Sequence, residues 1–184
     1  MRWERLFDDL EAQLEAAGQR DLATEIADRT RREVARIRLA DRLRAARGHE
    51  VACRVLGAGS VVGRVVAVGP EWVLLEESTG CEALVPLAGL TSVSGLVLRS
   101  TVPGTEGLVG ARLGLGHVLR GIARDRSPVG VTLVDGSALG GTVDRVGADF
   151  VEVAEHGPGE PRRPLDVQGV RSIPFGGLAL VRRV

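Results

Sequence analysis

Apolar residues recur with helical spacing over the first 47 positions and with a period of two over most of the rest. Trp3, Phe7, Leu10 and Leu14 stand four, three and four apart, which predicts one face of a helix. Gly18 interrupts, Asp21 is placed to cap a second helix, and Leu22, Ile26, Val34 and Ile37 continue an apolar stripe flanked by Leu39 and Leu43. No Pro or Gly occurs from Gln19 to Arg47, so a helical hairpin and one long bent helix both fit. After Gly48 the period changes: Val51, Cys53 and Val55 alternate with Ala52 and Arg54, as in a half-buried strand. Further strands are expected over 61–68, 72–77, 83–87 and 90–93, separated by Gly-rich turns such as Gly57-Ala58-Gly59-Ser60. Five short strands in about fifty residues describe a small barrel or sandwich. Residues 98–108 lack a period and read as a linker, and 113–124 is a helix diluted by Gly114, Gly116 and Gly121.

Val129, Val131 and Leu133 then repeat the alternation of Val51, Cys53 and Val55, which raises the question of an internal repeat. A shift of 78 carries Val51 to Val129, Gly63 to Gly141, Val65 to Val143, Gly69 to Gly147, Glu71 to Asp149, Trp72 to Phe150 and, upstream, Arg42 to Arg120. Beyond that, a shift of 80 carries Gly89 to Gly169, Ser92 to Ser172 and Val93 to Ile173, with the extra length placed near His156–Pro161. The expected division is a helical region 1–47, a first barrel 48–97, a linker 98–110, and a helix with a second barrel in 111–184.

The second copy runs through Val131-Thr132-Leu133-Val134-Asp135-Gly136, a strand led into by Gly140-Gly141, and Asp149-Phe150-Val151-Glu152-Val153. This order of strand, Asp-Gly turn, strand with a small central residue and third strand resembles the first motif of the Sm/LSm family. Residues 167–173 resemble its second motif more loosely, and other SH3-like barrels share the pattern. The resemblance covers about 60 residues per copy. It implies a mainly β, α+β chain: two tandem five-stranded Sm-like barrels after the N-terminal helices. In such a barrel Gly141 would sit where the second strand bends, because a Cβ there would obstruct the curvature. The resemblance also implies a base pocket in which Asp149 stands near the acidic position and Arg171 near the basic one. The chain has no Asn, so the family's full pocket cannot be built. Two linked copies also argue against the ring of identical single-domain subunits that the family often forms.

Composition narrows the chemistry. All 24 basic residues are Arg, balanced by 24 acids, and the absence of Lys excludes a P-loop, a Schiff-base enzyme and a kinase-type site. His49, His117 and His156 lie in separate connections without ligand-spaced Cys, His or carboxylate partners, so no metal, cofactor, catalytic residue or small-molecule substrate is expected, and no enzyme. Cys53 and Cys81 without an apolar leader after Met1, and no apolar stretch near spanning length, predict a soluble cytoplasmic chain with no membrane partner.

The neutral total hides an uneven distribution. Residues 1–18 carry two Arg against five acids, and residues 28–47 carry eight Arg against three. Arg31, Arg32, Arg36, Arg38 and Arg42 are therefore candidate phosphate contacts for RNA or DNA; the alternative is a solvated helix face ion-paired to its own acids. The competing function is a protein-interaction adaptor that docks on a partner or a second copy through the Trp3, Phe7, Leu10 and Leu14 stripe.

Overall fold

The computed structural model describes Leu22 and residues 25–97, 99–101, 113–157 and 167–183. Contacts divide the chain after Ile37. In the first unit, residues 25–34 are helical (α1), and the helical run is interrupted at 35–38. A continuous helix to Arg47 is therefore not what forms. The Asp41 carboxylate instead accepts from the Arg38 backbone N–H at 2.9 Å and caps a new helix, α2 (Leu39–Ala45). α2 belongs with the second unit, where Leu43 and Ala46 are buried against the sheet.

That unit is mainly β, and with its helices the chain is broadly α+β. Strands β1 (Glu50–Val55), β2 (Gly59–Val68), β3 (Trp72–Glu76), β4 (Glu82–Pro86) and β5 (Leu90–Ser94) precede helix α3 (Leu115–Asp125). Then follow β6 (Pro128–Leu133), β7 (Ala138–Val146), β8 (Phe150–Glu155), β9 (Gly169–Pro174) and β10 (Leu178–Arg183). All ten lie in one antiparallel sheet of order β5-β1-β2-β3-β4-β10-β6-β7-β8-β9, which is not closed.

The order is a repeat: β5-β1-β2-β3-β4 and β10-β6-β7-β8-β9 are the same five-strand arrangement. Its irregularities repeat as well. The second strand of each copy is bulged at equivalent places, between Val65 and Ala67 and between Val143 and Arg145. The fifth strand skips a residue against the first in both copies, where Val55 pairs Leu90 and Leu133 pairs Leu178. Leu56 N–H donates to Gly89 O at 2.9 Å, and Val134 N–H to Gly177 O at 3.0 Å. These pairings correct the second half of the sequence alignment. Gly89 corresponds to Gly177 and Pro86 to Pro174, a shift of 88 rather than 80, so the insertion between β8 and β9 is ten residues longer than in the first copy. The misleading match of Gly89-x-x-Ser92 to Gly169-x-x-Ser172 concealed the true one, Val85-Pro86-Leu87-Ala88-Gly89-Leu90 to Ile173-Pro174-Phe175-Gly176-Gly177-Leu178.

Two cores share their walls. The first is built from Val51, Cys53, Val61, Val65, Val73, Leu75, Val85 and α2, and takes Ala179 and Leu180 from β10. The second is built from Val129, Val131, Val143, Val151, Val153, Ile173 and α3, and takes Trp72 and Leu84 from the first copy, with Ala67 and Leu74 packed on it. At the seam, Val181 pairs Leu84 and Arg182 pairs Ala83. Side chains alternate across a strand, so each seam strand serves one core on each face.

Gly63 and Gly141 occupy the same turn of the second strand. A Cβ on Gly63 would lie 2.7 Å from Glu76 O, and one on Gly141 would collide with Ala154 O. Gly121 on α3 has open space around it. Gly141→Ala is expected to cost about 1–3 kcal/mol through overpacking, whereas Gly121→Ala is expected to stabilise by about 0.5–1 kcal/mol through helix propensity. Thermal melts check both, at roughly 2–4 °C of Tm per kcal/mol.

Candidate nucleic-acid interface

At one end of each repeat the β2–β3 and β4–β5 connections, or their second-copy equivalents, are tied together. Gly69 N–H donates to Trp72 O and Gly147 N–H to Phe150 O, both at 2.9 Å. Leu87 N–H donates to Glu71 O at 2.8 Å, and Phe175 N–H to Asp149 O at 2.7 Å. A Cβ on Gly69 would strike the Trp72 ring and one on Gly147 the Phe150 ring, so each glycine lets an aromatic fold back over its turn.

The two tips differ in what covers them. The Trp72 indole N–H donates to Leu113 O at 2.7 Å, and the Glu71 carboxylate accepts from Leu115 N–H at 3.4 Å. The first tip is therefore closed by the start of α3, and Trp72 is a core residue. In the second tip Asp149 is exposed and Phe150 and Phe175 are half-buried. The Phe175 ring and the Arg120 guanidinium both lie against Gly116, where the missing side chain leaves room for them.

Asp149 and Arg171 are not brought together. Phe150 pairs with Pro174, but Arg171 pairs with Val153, three residues along the ladder or about 10 Å at 3.4 Å per residue. The Arg171 guanidinium is instead engaged by Glu155 through bonds of 2.9 and 3.2 Å. The helix arginines also divide. Arg31 is ion-paired with Asp28 at 3.3 Å, Arg32 donates to Asp28 O at 3.3 Å, and Arg29 pairs with Glu33 at 3.2 Å. Such exposed helix pairs are worth only about 0.3–0.5 kcal/mol. Arg36 and Arg38 are exposed and carry no ion pair among the described residues. Arg42 is half-buried, and its guanidinium donates to Val97 O at 3.0 Å. Trp3, Phe7, Leu10 and Leu14 lie outside the described residues.

One row of basic side chains was not among the sequence-based expectations. On α3, Leu115 and Leu119 are buried, and His117, Arg120 and Arg124 fall on the opposite, exposed face. None of the three carries an ion pair among the described residues. The signal was available, because His117, Arg120 and Arg124 are spaced three and four apart.

His156 is buried. The Gly157 carbonyl can only accept, so Nδ1 carries the hydrogen at 3.1 Å, and in the neutral ring Nε2 accepts from the Thr142 hydroxyl at 2.7 Å. Cys53 is buried, which pushes its thiol up to about 11. Among the described residues, no His, Cys, Asp and Glu group is arranged to hold a metal ion, and no helix is long and apolar enough to cross a membrane. A surface groove of about 430 Å³ beside Arg126, Asp144, Arg145 and Glu152 is of mixed charge.

Comparison with protein-family models, curated proteins and solved structures finds no match to this chain.

Trp72→Phe keeps the ring but leaves Leu113 O without its donor, an expected loss of about 1–3 kcal/mol measured by urea unfolding. In the folded protein at pH 8, a thiol reagent is expected to modify Cys81, which is half-buried, well before Cys53; the second thiol should titrate only after urea is added.

Proposed function

We propose that the chain is a non-enzymatic, cytoplasmic, nucleic-acid-associated regulatory protein built on two tandem Sm-like barrels. The repeated five-strand order, the bend glycines Gly63 and Gly141 and the short 3-10 turn before each fifth strand support the barrel reading. One observation carries the functional reading: Arg120, Arg124 and His117 form a row with no acidic partner among the described residues, and Arg120 lies beside Phe175, half-buried like Phe150 at the second tip. Cations beside half-buried aromatic rings suit single-stranded nucleic acid, with phosphates on the helix and a base against a ring. Arg36 and Arg38, with Arg31 and Arg32, would add non-specific phosphate contacts from the N-terminal segment.

A second reading is favoured by a separate observation. Ile26 and Val34 are 57% and 60% exposed on α1 and fall about 80° apart at 3.6 residues per turn. An adaptor that docks a protein partner, or pairs two copies, through this face would account for them.

Titration of labelled single-stranded RNA across a salt series tests the first reading. Arg120→Gln with Arg124→Gln is expected to weaken binding and to flatten the slope of log K against log salt by about 1.4, some 0.7 per phosphate contact. Wild-type protein that fails to bind RNA or DNA at low salt removes this reading. Ile26→Glu with Val34→Glu tests the other one: a fall in the mass of the wild-type assembly by light scattering would support the adaptor.

A further inference from the structure

The seam between β4 and β10 shows what joining two repeats requires, and the two ends of the sheet show what each repeat presents where no partner follows. The repeat makes the comparison residue by residue. On the β4 side, the seam uses Ala67, Trp72, Leu74 and Leu84 from the first copy against the second core. The equivalent positions at the β9 end are Arg145, Phe150, Glu152 and Ser172, of which only Phe150 is still apolar. Ala67 and Leu74 are cross-strand partners in the first copy, and in the second the same pair is an ion pair, Arg145 to Glu152 at 3.6 Å.

On the β10 side, the seam uses Ala179 and Leu180 against the first core, both fully buried. At the β5 end these positions are Thr91 and Ser92, both exposed. The seam is also clasped by a bidentate pair across the repeats, Arg182 to Glu77 at 2.9 and 3.1 Å. Glu77 corresponds to Glu155, whose carboxylate is taken by Arg171 of its own repeat, and Arg182 corresponds to Ser94. Main-chain hydrogen-bonding groups on β5 and β9 are available to a further strand, because no described strand pairs with their outer edges. The flanking side chains are not suited to one. Extending the sheet would bury the Arg145–Glu152 pair, Thr91, Ser92 and Ser172 where the seam buries hydrocarbon, and would leave Glu155 without a new cation.

We infer that the pair of repeats is self-terminated: the described residues contain one inter-repeat interface, and polar replacements at most of the equivalent positions near both edges of the sheet prevent a second copy from continuing it. The restriction lies in a small set of side chains rather than in the backbone, so it is reversible by substitution. The inference does not depend on the nucleic-acid reading.

The test grafts the seam onto the edges of the full-length chain. Arg145→Ala, Glu152→Leu and Ser172→Leu on one side, with Thr91→Ala and Ser92→Leu on the other, are expected to give concentration-dependent assemblies at integer multiples of the wild-type mass by light scattering. A folded fivefold variant that stays at the wild-type mass overturns the inference. If the fivefold variant does not fold, the two half-grafts are mixed, and association of the mixture beyond either alone is the expected result. Amide exchange of the wild-type protein supplies a readout that needs no variant. Residues 91–94 and 170–172 are expected to exchange at a rate independent of protein concentration, and protection that rises with concentration overturns the inference.

Discussion

Strands β4 and β10 pair within one chain across two copies of the same five-strand unit, and each contributes side chains to both cores. Leu84 and Trp72 come from the first copy but pack in the second core; Ala179 and Leu180 come from the second but close the first. A fully buried Leu such as Leu84 or Leu180 is worth about 1.5–3 kcal/mol, and here each of the four packs in the core of the other repeat. Neither copy has a complete core without the other. The bidentate Arg182–Glu77 pair lies at the end of the same seam, and the carboxylate holds the guanidinium above its ordinary value.

This shared wall decides which surfaces remain exposed. Seating α3 over β7 and β8 brings Leu113 and Leu115 to Trp72 and Glu71, and so closes the first tip. At the second tip Asp149 is exposed and Phe150 and Phe175 are half-buried, with the Phe175 ring lying against Gly116 of α3. The same asymmetry makes Trp72 a core residue and leaves its counterpart Phe150 half-exposed. Equivalent positions in a repeat thus acquire different roles from what lies beyond them, and the solvent face of α3 becomes cationic beside the one tip left uncovered.

Much of the strand pattern was legible because period-two alternation from Val51 to Val55 and from Val129 to Leu133 reports half-buried strands directly. The bend glycines were legible for a related reason: tight curvature tolerates no Cβ. Three features were not. The helix break at 35–38 depends on the Asp41 carboxylate reaching back to Arg38, which no periodicity reveals. The true offset of 88 was hidden by a chance Gly-x-x-Ser match, since short motifs in a chain with 25 glycines carry little information. The seam itself was invisible, because Leu74 and Leu84 read as ordinary strand residues until the strand order shows whose core they enter. For the site, the structure puts Asp149 at the second tip, Arg171 on Glu155 and Arg42 on Val97 O, contacts set by strand pairing and by residues distant in the chain, which no local spacing reveals.

The dependence of each repeat on the other is tested most directly by native-state hydrogen exchange on Leu84→Ala. Leu84 belongs to the first copy and packs in the second core, so the slowest amides of β2 and β7 are expected to lose the same stability, about 2–5 kcal/mol, with the same dependence on urea. Loss confined to one of the two strands, with the other exchanging as in the wild type, would show that the repeats open independently and would contradict the account.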